Sequence, residues 1–291
     1  MTTTYAVTGS TGRVGSRVAR QLAAAEVLQR CIVRNSKRAP KLPRAEVAEA
    51  TYDDAAAMRR ALDGVHTLFL VSATEADDRV RQHAEAVDAA AASGVERIVY
   101  LSFLGAAPDA TFTFARDHWQ TEEHIRASGL RFTFLRDSLY QDFMPVYVGE
   151  DLTIRGPAAN GRVSAVAVDD IADVAVAVLL VGDEHDGLTF DVTGPVALSL
   201  DEVARELSRA SGRRVRYQPE TVQEAHESRA HFGAPPYLVN GWVTTYVAIA
   251  TGELSIISDT VQRLTGHKAT TLAETLHRHP ELVQHLRTAS G

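Results

Sequence analysis

The chain of 291 residues holds one cysteine, Cys31, so no disulfide can form within it and its fold must rest on buried apolar surface. Cys31 lies in the apolar run Cys31-Ile32-Val33, which reads as a buried strand, and a single reduced thiol suits a reducing cytoplasm. No apolar run approaches the roughly 18 residues that a membrane-spanning helix needs. Residues Met1 to Thr4 lack the basic and hydrophobic regions of a signal peptide, so the expected location is cytoplasmic, with no membrane partner. Positive charge is not in excess either. The formal net charge is -7 and the two signs are mixed along the chain, which argues against nucleic acid as a partner. What is present is ordinary globular material, 45% hydrophobic and 23% charged, enough for one large α/β domain with a smaller lobe appended.

The first half alternates short β-rich runs with helical patterns, the sequence form of a parallel sheet wound with crossover helices. Expected strands are Tyr5 to Thr8, Leu28 to Arg34, Ala45 to Ala50, Val65 to Val71, Arg97 to Ser102 and Leu130 to Arg136. Expected helices are Arg13 to Ala24, Ala55 to Leu62, Arg79 to Ser93 and Asp117 to Ser128, the last two ending at Ser-Gly. Beyond Arg136 the rhythm changes: strands are expected at Val163 to Val168 and Leu188 to Val192, a helix at Ile171 to Val181, and helices dominate from Ser199 on, with a break at Gly233 to Pro236. The expected architecture is a doubly wound parallel sheet, a Rossmann fold, over residues 1–137 and about 162–194. A smaller, mostly helical substrate lobe takes 138–161 and 195–291, with a substrate cleft between the two.

The segment Thr8-Gly9-Ser10-Thr11-Gly12-Arg13-Val14-Gly15 follows an apolar strand and opens a helix, the context in which a glycine pattern binds a dinucleotide. Gly9 permits the tight turn, Gly12 lets the backbone approach a pyrophosphate, and Gly15 allows the helix to pack closely on the sheet. Exposed amides and the positive helix end then hold the phosphates. NAD-specific sites place an acidic residue at the end of the second strand; here that strand ends in Arg34-Asn35, followed by Lys37 and Arg38. A guanidinium at this point favours a 2′-phosphate, with Arg13 as a second positive charge, so NADP(H) is the expected cofactor. The ends of the fourth and fifth strands, Val71-Ser72-Ala73 and Leu101-Ser102-Phe103, should line the nicotinamide half.

With those residues in place, the chain resembles the atypical short-chain dehydrogenase/reductases of the NmrA-like branch, most nearly the type 2 NAD(P)H:quinone oxidoreductases and triphenylmethane reductases. The resemblance rests on the TGSTGRVG turn, the Ile32 to Asn35 strand end, Tyr100 to Phe103, the segment HWQTEEHIRASGLRFTFLR from His118 to Arg136, and the late segment from Gly266 to Leu276. It implies that Gly9, Ser10, Thr11, Gly12, Arg13, Val14 and Arg34 contact NADP. It implies also that Val71, Ser72 and Ala73 pass the ribose, and that Arg136, Asp137, Ser138, Leu139 and Tyr140 lie beside nicotinamide and substrate. Three departures stand out. Thr51-Tyr52 replaces the family's acidic residue before an aromatic, and Asp137-Ser138 stands where relatives carry Asn-Gly. The YxxxK pair of ordinary short-chain dehydrogenases is missing: Phe114 occupies the tyrosine position and His118 the lysine position, and phenylalanine cannot transfer a proton.

His118 is then the best polar candidate near the nicotinamide, either as donor to a substrate carbonyl or as a structural hydrogen bonder. Ser102 reads as a catalytic hydroxyl or, the blander role, as a bond to backbone or cofactor. Tyr140 could cover the nicotinamide or stack on an aromatic acceptor. The acidic run Asp169-Asp170-Ile171-Ala172-Asp173 reads as helix capping, His277, His279 and His285 lack a completing ligand set, and no residue is assigned to a metal. Trp242, Tyr246 and Ile249 recur at helical spacing, as a core stripe, as the roof of an apolar substrate pocket together with Tyr237 and Leu238, or as the contact of a homodimer. The expected activity is hydride transfer from NADPH to a quinone or similar planar acceptor, that of an NAD(P)H:quinone oxidoreductase. The alternatives are a triphenylmethane-dye-type reductase and a redox-sensing NADP-binding regulator without turnover.

Overall fold

In the computed structural model, which describes residues 4–288, each expected strand of the first half forms; the reading of Met1 to Thr4 falls almost wholly outside the described residues. The strands β1 (Tyr5–Val7), β2 (Gln29–Val33), β3 (Ala45–Glu49), β4 (Thr67–Val71), β5 (Arg97–Phe103) and β6 (Arg131–Asp137) alternate with helices α1 (Arg13–Ala24), α2 (Ala55–Leu62), α3 (Arg79–Ala92) and α4 (Thr113–Ala127). Then follow β7 (Thr153–Gly156), β8 (Arg162–Val163), α5 (Val168–Leu180), β9 (Thr189–Val192), β10 (Leu198–Ser199), α6 (Leu200–Ser211), β11 (Arg216–Pro219), α7 (Val222–Arg229) and α8 (Pro236–Ala250). Three short helices, α9 (Thr260–Thr265), α10 (Leu272–Arg278) and α11 (Gln284–Thr288), complete the chain.

Seven strands form one sheet in the order β3-β2-β1-β4-β5-β6-β9, and all pairings from β3 to β6 are parallel. The winding reverses between β1 and β4, which opens a crevice at the carboxyl ends of those two strands. The central strands β1, β4 and β5 are buried on both faces along nearly their whole length, as a sheet covered on both sides requires. Leu68, Leu70, Ile98, Tyr100 and Phe134 join Met58, Leu62, Val87 and Ile125 of α2, α3 and α4 in one buried cluster. On the other face Tyr5 donates to the Leu179 carbonyl at 3.2 Å, and Gln21 of α1 bonds Asp173 of α5 at 2.6 Å.

The contacts divide the chain into two units. The first comprises 1–108, 116–137 and 171–191, and the second 109–115, 138–170 and 192–291. Within the second unit, two-stranded pairs β10-β8 and β11-β7 accompany α6 to α11. The break at Gly233 is a helix stop at φ 60, and Pro236 restarts the chain as α8.

Two boundaries differ most from the sequence reading, while α5 begins three residues and β4 two residues away from the expected start. α4 begins at Thr113 rather than Asp117, because Thr113 and Phe114, β-like by propensity, are drawn into helix by packing. Phe112 and Phe114 are buried, and the Thr113 amide donates to Thr244 Oγ1 at 3.3 Å. The strand expected at Val163 to Val168 shortens to β8, and Val166 makes only an isolated bridge to Tyr140 before Val168 opens α5.

Candidate cofactor site

The turn after β1 is built for backbone exposure. Gly9 has φ +59, a left-handed conformation that glycine adopts without strain, and the Gly12 amide closes the turn on the Gly9 carbonyl at 2.7 Å. Gly12 stands at the N-cap of α1 and supplies no side-chain cap, and the first turn carries no acidic residue. The orphan amides and the positive end of α1 are therefore left for an anion. Gly9, Thr11, Gly12 and Arg13 are exposed. Ser10 and Val14 are buried: the Ser10 hydroxyl donates to the Ile32 carbonyl at 3.3 Å, so what these two can offer a ligand is backbone. A Cβ on Gly15 would stand 2.4 Å from the Gly9 carbonyl oxygen, which makes Gly15 the residue that lets α1 close onto the turn.

At the end of β2, Arg34 is exposed, and Asn35 accepts the Lys37 amide at 3.0 Å to start a short turn. Glu49, at the end of β3, accepts the Ser36 amide at 2.8 Å, a bond that holds its carboxyl below the usual range. That carboxylate is thus spent on the loop, and Arg34 presents the local charge.

The end of β4 is held by side chains. The Val71 amide donates to Thr8 Oγ1 at 2.8 Å, and the Tyr52 hydroxyl donates to the Val71 carbonyl at 2.5 Å. The Tyr52 hydroxyl is thereby committed to the end of β4, and nothing in the structure explains Thr51 in place of an acidic residue. Ser72 Oγ donates to the Leu101 carbonyl at 2.8 Å. The Ala73 amide donates to His83 Nε2 at 2.8 Å, and Arg79 Nε donates to the Ala73 carbonyl at 3.0 Å.

His118 faces this cluster from α4 and is buried. Its Nε2 lies 3.2 Å from Arg79 Nη2 and its Nδ1 3.0 Å from the Tyr100 hydroxyl. Arginine has donors only, so Nε2 is the acceptor and the ring proton sits on Nδ1, directed at Tyr100. Burial and the Arg79 charge hold the His118 imidazole well below its usual value, and burial pushes His83 down to about 3. Burial pushes the Tyr100 hydroxyl up to about 12. Both ring nitrogens of His118 are engaged within the first unit.

Ser102 and Arg136 are joined through Glu122, which is fully buried. Ser102 Oγ donates to Glu122 at 2.6 Å, and Arg136 makes a two-pronged contact at 2.8 and 2.6 Å. In the second unit, Ser138 is buried and its Oγ has no partner among the described residues. Tyr140 is half-buried and stacks on Phe143 at 5.9 Å, while Leu139 is half-buried beside it; Asp137, in the first unit, is buried. Phe114 meets α8: a Cβ on Gly241 would stand 2.4 Å from its ring, so it is a packing residue.

The acidic run at the start of α5 does other work than capping alone. The Val168 amide is taken by Asp142 at 3.1 Å, Asp170 accepts the Thr270 amide at 2.6 Å, and Asp169 pairs with His279 at 2.9 Å. The sequence reading missed Arg79, His83, Glu122 and Asp142. One signal was there: Arg79 and His83 stand four residues apart, on the helix face that Ala86, Val87 and Ala90 bury.

The reversed strand order, the glycine turn and the bare helix end define a doubly wound dinucleotide-binding fold. The chain matches the NmrA-like family over residues 1–229 and belongs to that family. It is 32% identical over 278 residues to an NAD(P)H azoreductase of Xenophilus azovorans, covering 94% of this chain and 96% of the relative. A structure of an NADPH-dependent quinone oxidoreductase of Escherichia coli complexed with NADPH superposes with a TM-score of 0.85 at 31% identity, covering 94% of this chain and 99% of that one. A Citrobacter triphenylmethane reductase complexed with NADP(H) gives 0.82 at 32% identity, with the same coverage of 94% and 99%.

Proposed function

We propose that the protein is an NADPH-dependent oxidoreductase acting on a quinone or a similar planar, electron-poor acceptor. The observation that carries the reading is the turn at Gly9–Gly12, where exposed residues meet an uncapped helix end, with the exposed charge of Arg34 at the neighbouring strand end. The residues fit the cofactor. A Cβ on Gly12 would meet no side chain and only the Gly9 carbonyl at 3.1 Å, so the space over those amides is open for a pyrophosphate. Arg34, with Arg13, would hold the 2′-phosphate. When bound, NADPH supplies the hydride.

The chain's own part is to bind, orient and exclude water. Phe114 packs on α8 and offers no proton, and His118 has spent both nitrogens, which suits an acceptor whose reduced form is a resonance-stabilised anion better than an ordinary ketone. The named activities of the relatives, on azo compounds, quinones and triphenylmethane dyes, have one thing in common: each acceptor is a conjugated, electron-poor system. A cytoplasmic setting fits the buried, unpaired Cys31, and among the described residues no helix is long and apolar enough to cross a membrane. A homodimer would draw on the exposed Phe232, edge-on to Trp242 at 5.8 Å.

The test is NADPH consumption, followed by absorbance, with a quinone, an azo dye and a triphenylmethane dye, each against a control without acceptor. Turnover fastest on the quinone is expected. Tight NADPH binding with no turnover on any acceptor would overturn the enzymatic reading in favour of a sensor.

A further inference from the structure

The ladder between β4 and β5 ends at Val71 and Leu101, whereas the ladder between β5 and β6 runs on to Phe103 and Asp137. Ser72 and Ala73 thus leave the sheet while their neighbour continues. Left to itself, an emerging strand would go on pairing, because its amide and carbonyl need partners. Here substitutes are supplied: the Ser72 hydroxyl takes the Leu101 carbonyl, His83 takes the Ala73 amide and Arg79 takes the Ala73 carbonyl.

Those substitutes are expensive as core material. Arg79 is 5% exposed and His83 fully buried, on a helix whose other buried positions are Ala86, Val87, Ala89 and Ala90. Taking a guanidinium out of water costs several kcal/mol, and an apolar side chain would serve stability as well or better. Arg79 is in turn oriented by His118 at 3.2 Å and by Asp117 at 3.8 Å, and His83 by Thr121 at 2.8 Å. The Val71 side chain leans on Gly9, whose added Cβ would stand 3.2 Å from Val71 Cβ, so the held loop and the glycine turn form one wall of the crevice.

From this arrangement we propose that Arg79 and His83, with His118 behind Arg79, are positioning residues that keep the Val71–Ala73 loop peeled from the sheet and so hold open the crevice in which the dinucleotide binds. The inference rests on the reading of the crevice as an NADPH site. None of the three touches the reacting atoms; they act through the backbone of Ala73.

The experiment compares His83→Leu, His83→Gln, Arg79→Lys and the wild type. His83→Leu removes the acceptor for the Ala73 amide and should weaken NADPH binding about tenfold, a KM effect, with kcat at saturating NADPH changed less than about threefold. His83→Gln keeps an acceptor for Ala73 and a donor for Thr121, and should restore most of the affinity. Arg79→Lys keeps the charge without reaching both Ala73 and His118, and should weaken binding even if His83→Leu does not fold. Amide exchange at Ala73, measured without cofactor, should be slow in the wild type and in His83→Gln, and fast in His83→Leu, which alone removes the acceptor of that amide. Wild-type affinity in both His83→Leu and Arg79→Lys, or equal losses in His83→Leu and His83→Gln, would overturn the proposal. A wild type that protects Ala73 yet binds no NADPH would overturn the cofactor reading and leave the clamp standing.

Discussion

Gly12 and Gly15 stand three positions apart in the same turn, and the structure gives them different work, which two substitutions can separate. A Cβ on Gly12 approaches only the Gly9 carbonyl oxygen, at 3.1 Å, and Gly12 has φ -90, which any residue adopts. Gly12→Val therefore needs a shift of a few tenths of an ångström and gives up a tolerable N-cap, a cost on the order of 1 kcal/mol. Its two methyl groups, however, occupy the space in front of the α1 amides. Charge-assisted bonds to a phosphate contribute about 1.5–3 kcal/mol each, so losing two weakens NADPH binding by at least about a hundredfold. Gly15→Ala is the opposite case. Its Cβ would meet the Gly9 carbonyl oxygen at 2.4 Å, the Gly9 carbonyl carbon at 2.6 Å and the Thr8 carbonyl oxygen at 2.7 Å, all of them backbone. α1 must then back away by roughly 1 Å. Overpacking of this kind costs about 1–3 kcal/mol, which at roughly 2–4 °C per kcal/mol lowers the melting temperature by several degrees. Circular dichroism melts and fluorescence titration with NADPH, run on both variants, read the two effects. NADPH affinity within about tenfold of wild type in Gly12→Val, or an unchanged melting temperature in Gly15→Ala, would refute the division of labour.

Arg34→Ala should weaken NADPH binding about tenfold or more and change NADH little, since one charge-assisted contact of about 1.5–3 kcal/mol is lost; equal losses by calorimetry for the two cofactors would show that Arg34 does not meet the 2′-phosphate. His83 and His118 are held neutral in the fold, while the unfolded chain protonates them near the ordinary histidine value. Their contribution to stability is thus complete above about pH 6.5 and is lost as pH falls from there toward the folded values, by up to about tenfold in the folding constant per pH unit for each group. Ring-proton NMR should show neither histidine titrating between about pH 8 and 5, and a midpoint near 6 for either would contradict the burial argument. His118→Ala should lower quinone turnover at saturating NADPH by no more than about tenfold, below the 10²–10⁴-fold typical of a general acid; a loss above about a thousandfold with cofactor bound would make His118 an obligatory acid. Tyr140→Ala should mainly raise the quinone KM through lost aromatic packing, and a fall in kcat with KM unchanged would rule that out.

Features that depend on neighbours a few residues away were legible before any folding was considered. The strand-turn-helix at Tyr5 to Ala24 follows from an apolar run, a glycine at positive φ and helical periodicity, all local properties, and the start of α3 at Arg79 and the end of α4 before Gly129 were legible for the same reason. The basic end of β2 was equally plain, because Arg34 needs no distant partner to present its charge. Tertiary structure alone decided which polar groups meet. His118 lies 39 positions from Arg79, Thr8 lies 63 from the Val71 amide, and Asp142 reaches the start of α5 from 26 positions away. A hydrogen bond acts only within about 3 Å, and no periodicity or propensity encodes which two segments come that close. The same histidine therefore reads from sequence as a proton donor or as a structural bond with equal right, and only the fold brings Arg79 and Tyr100 onto its two nitrogens.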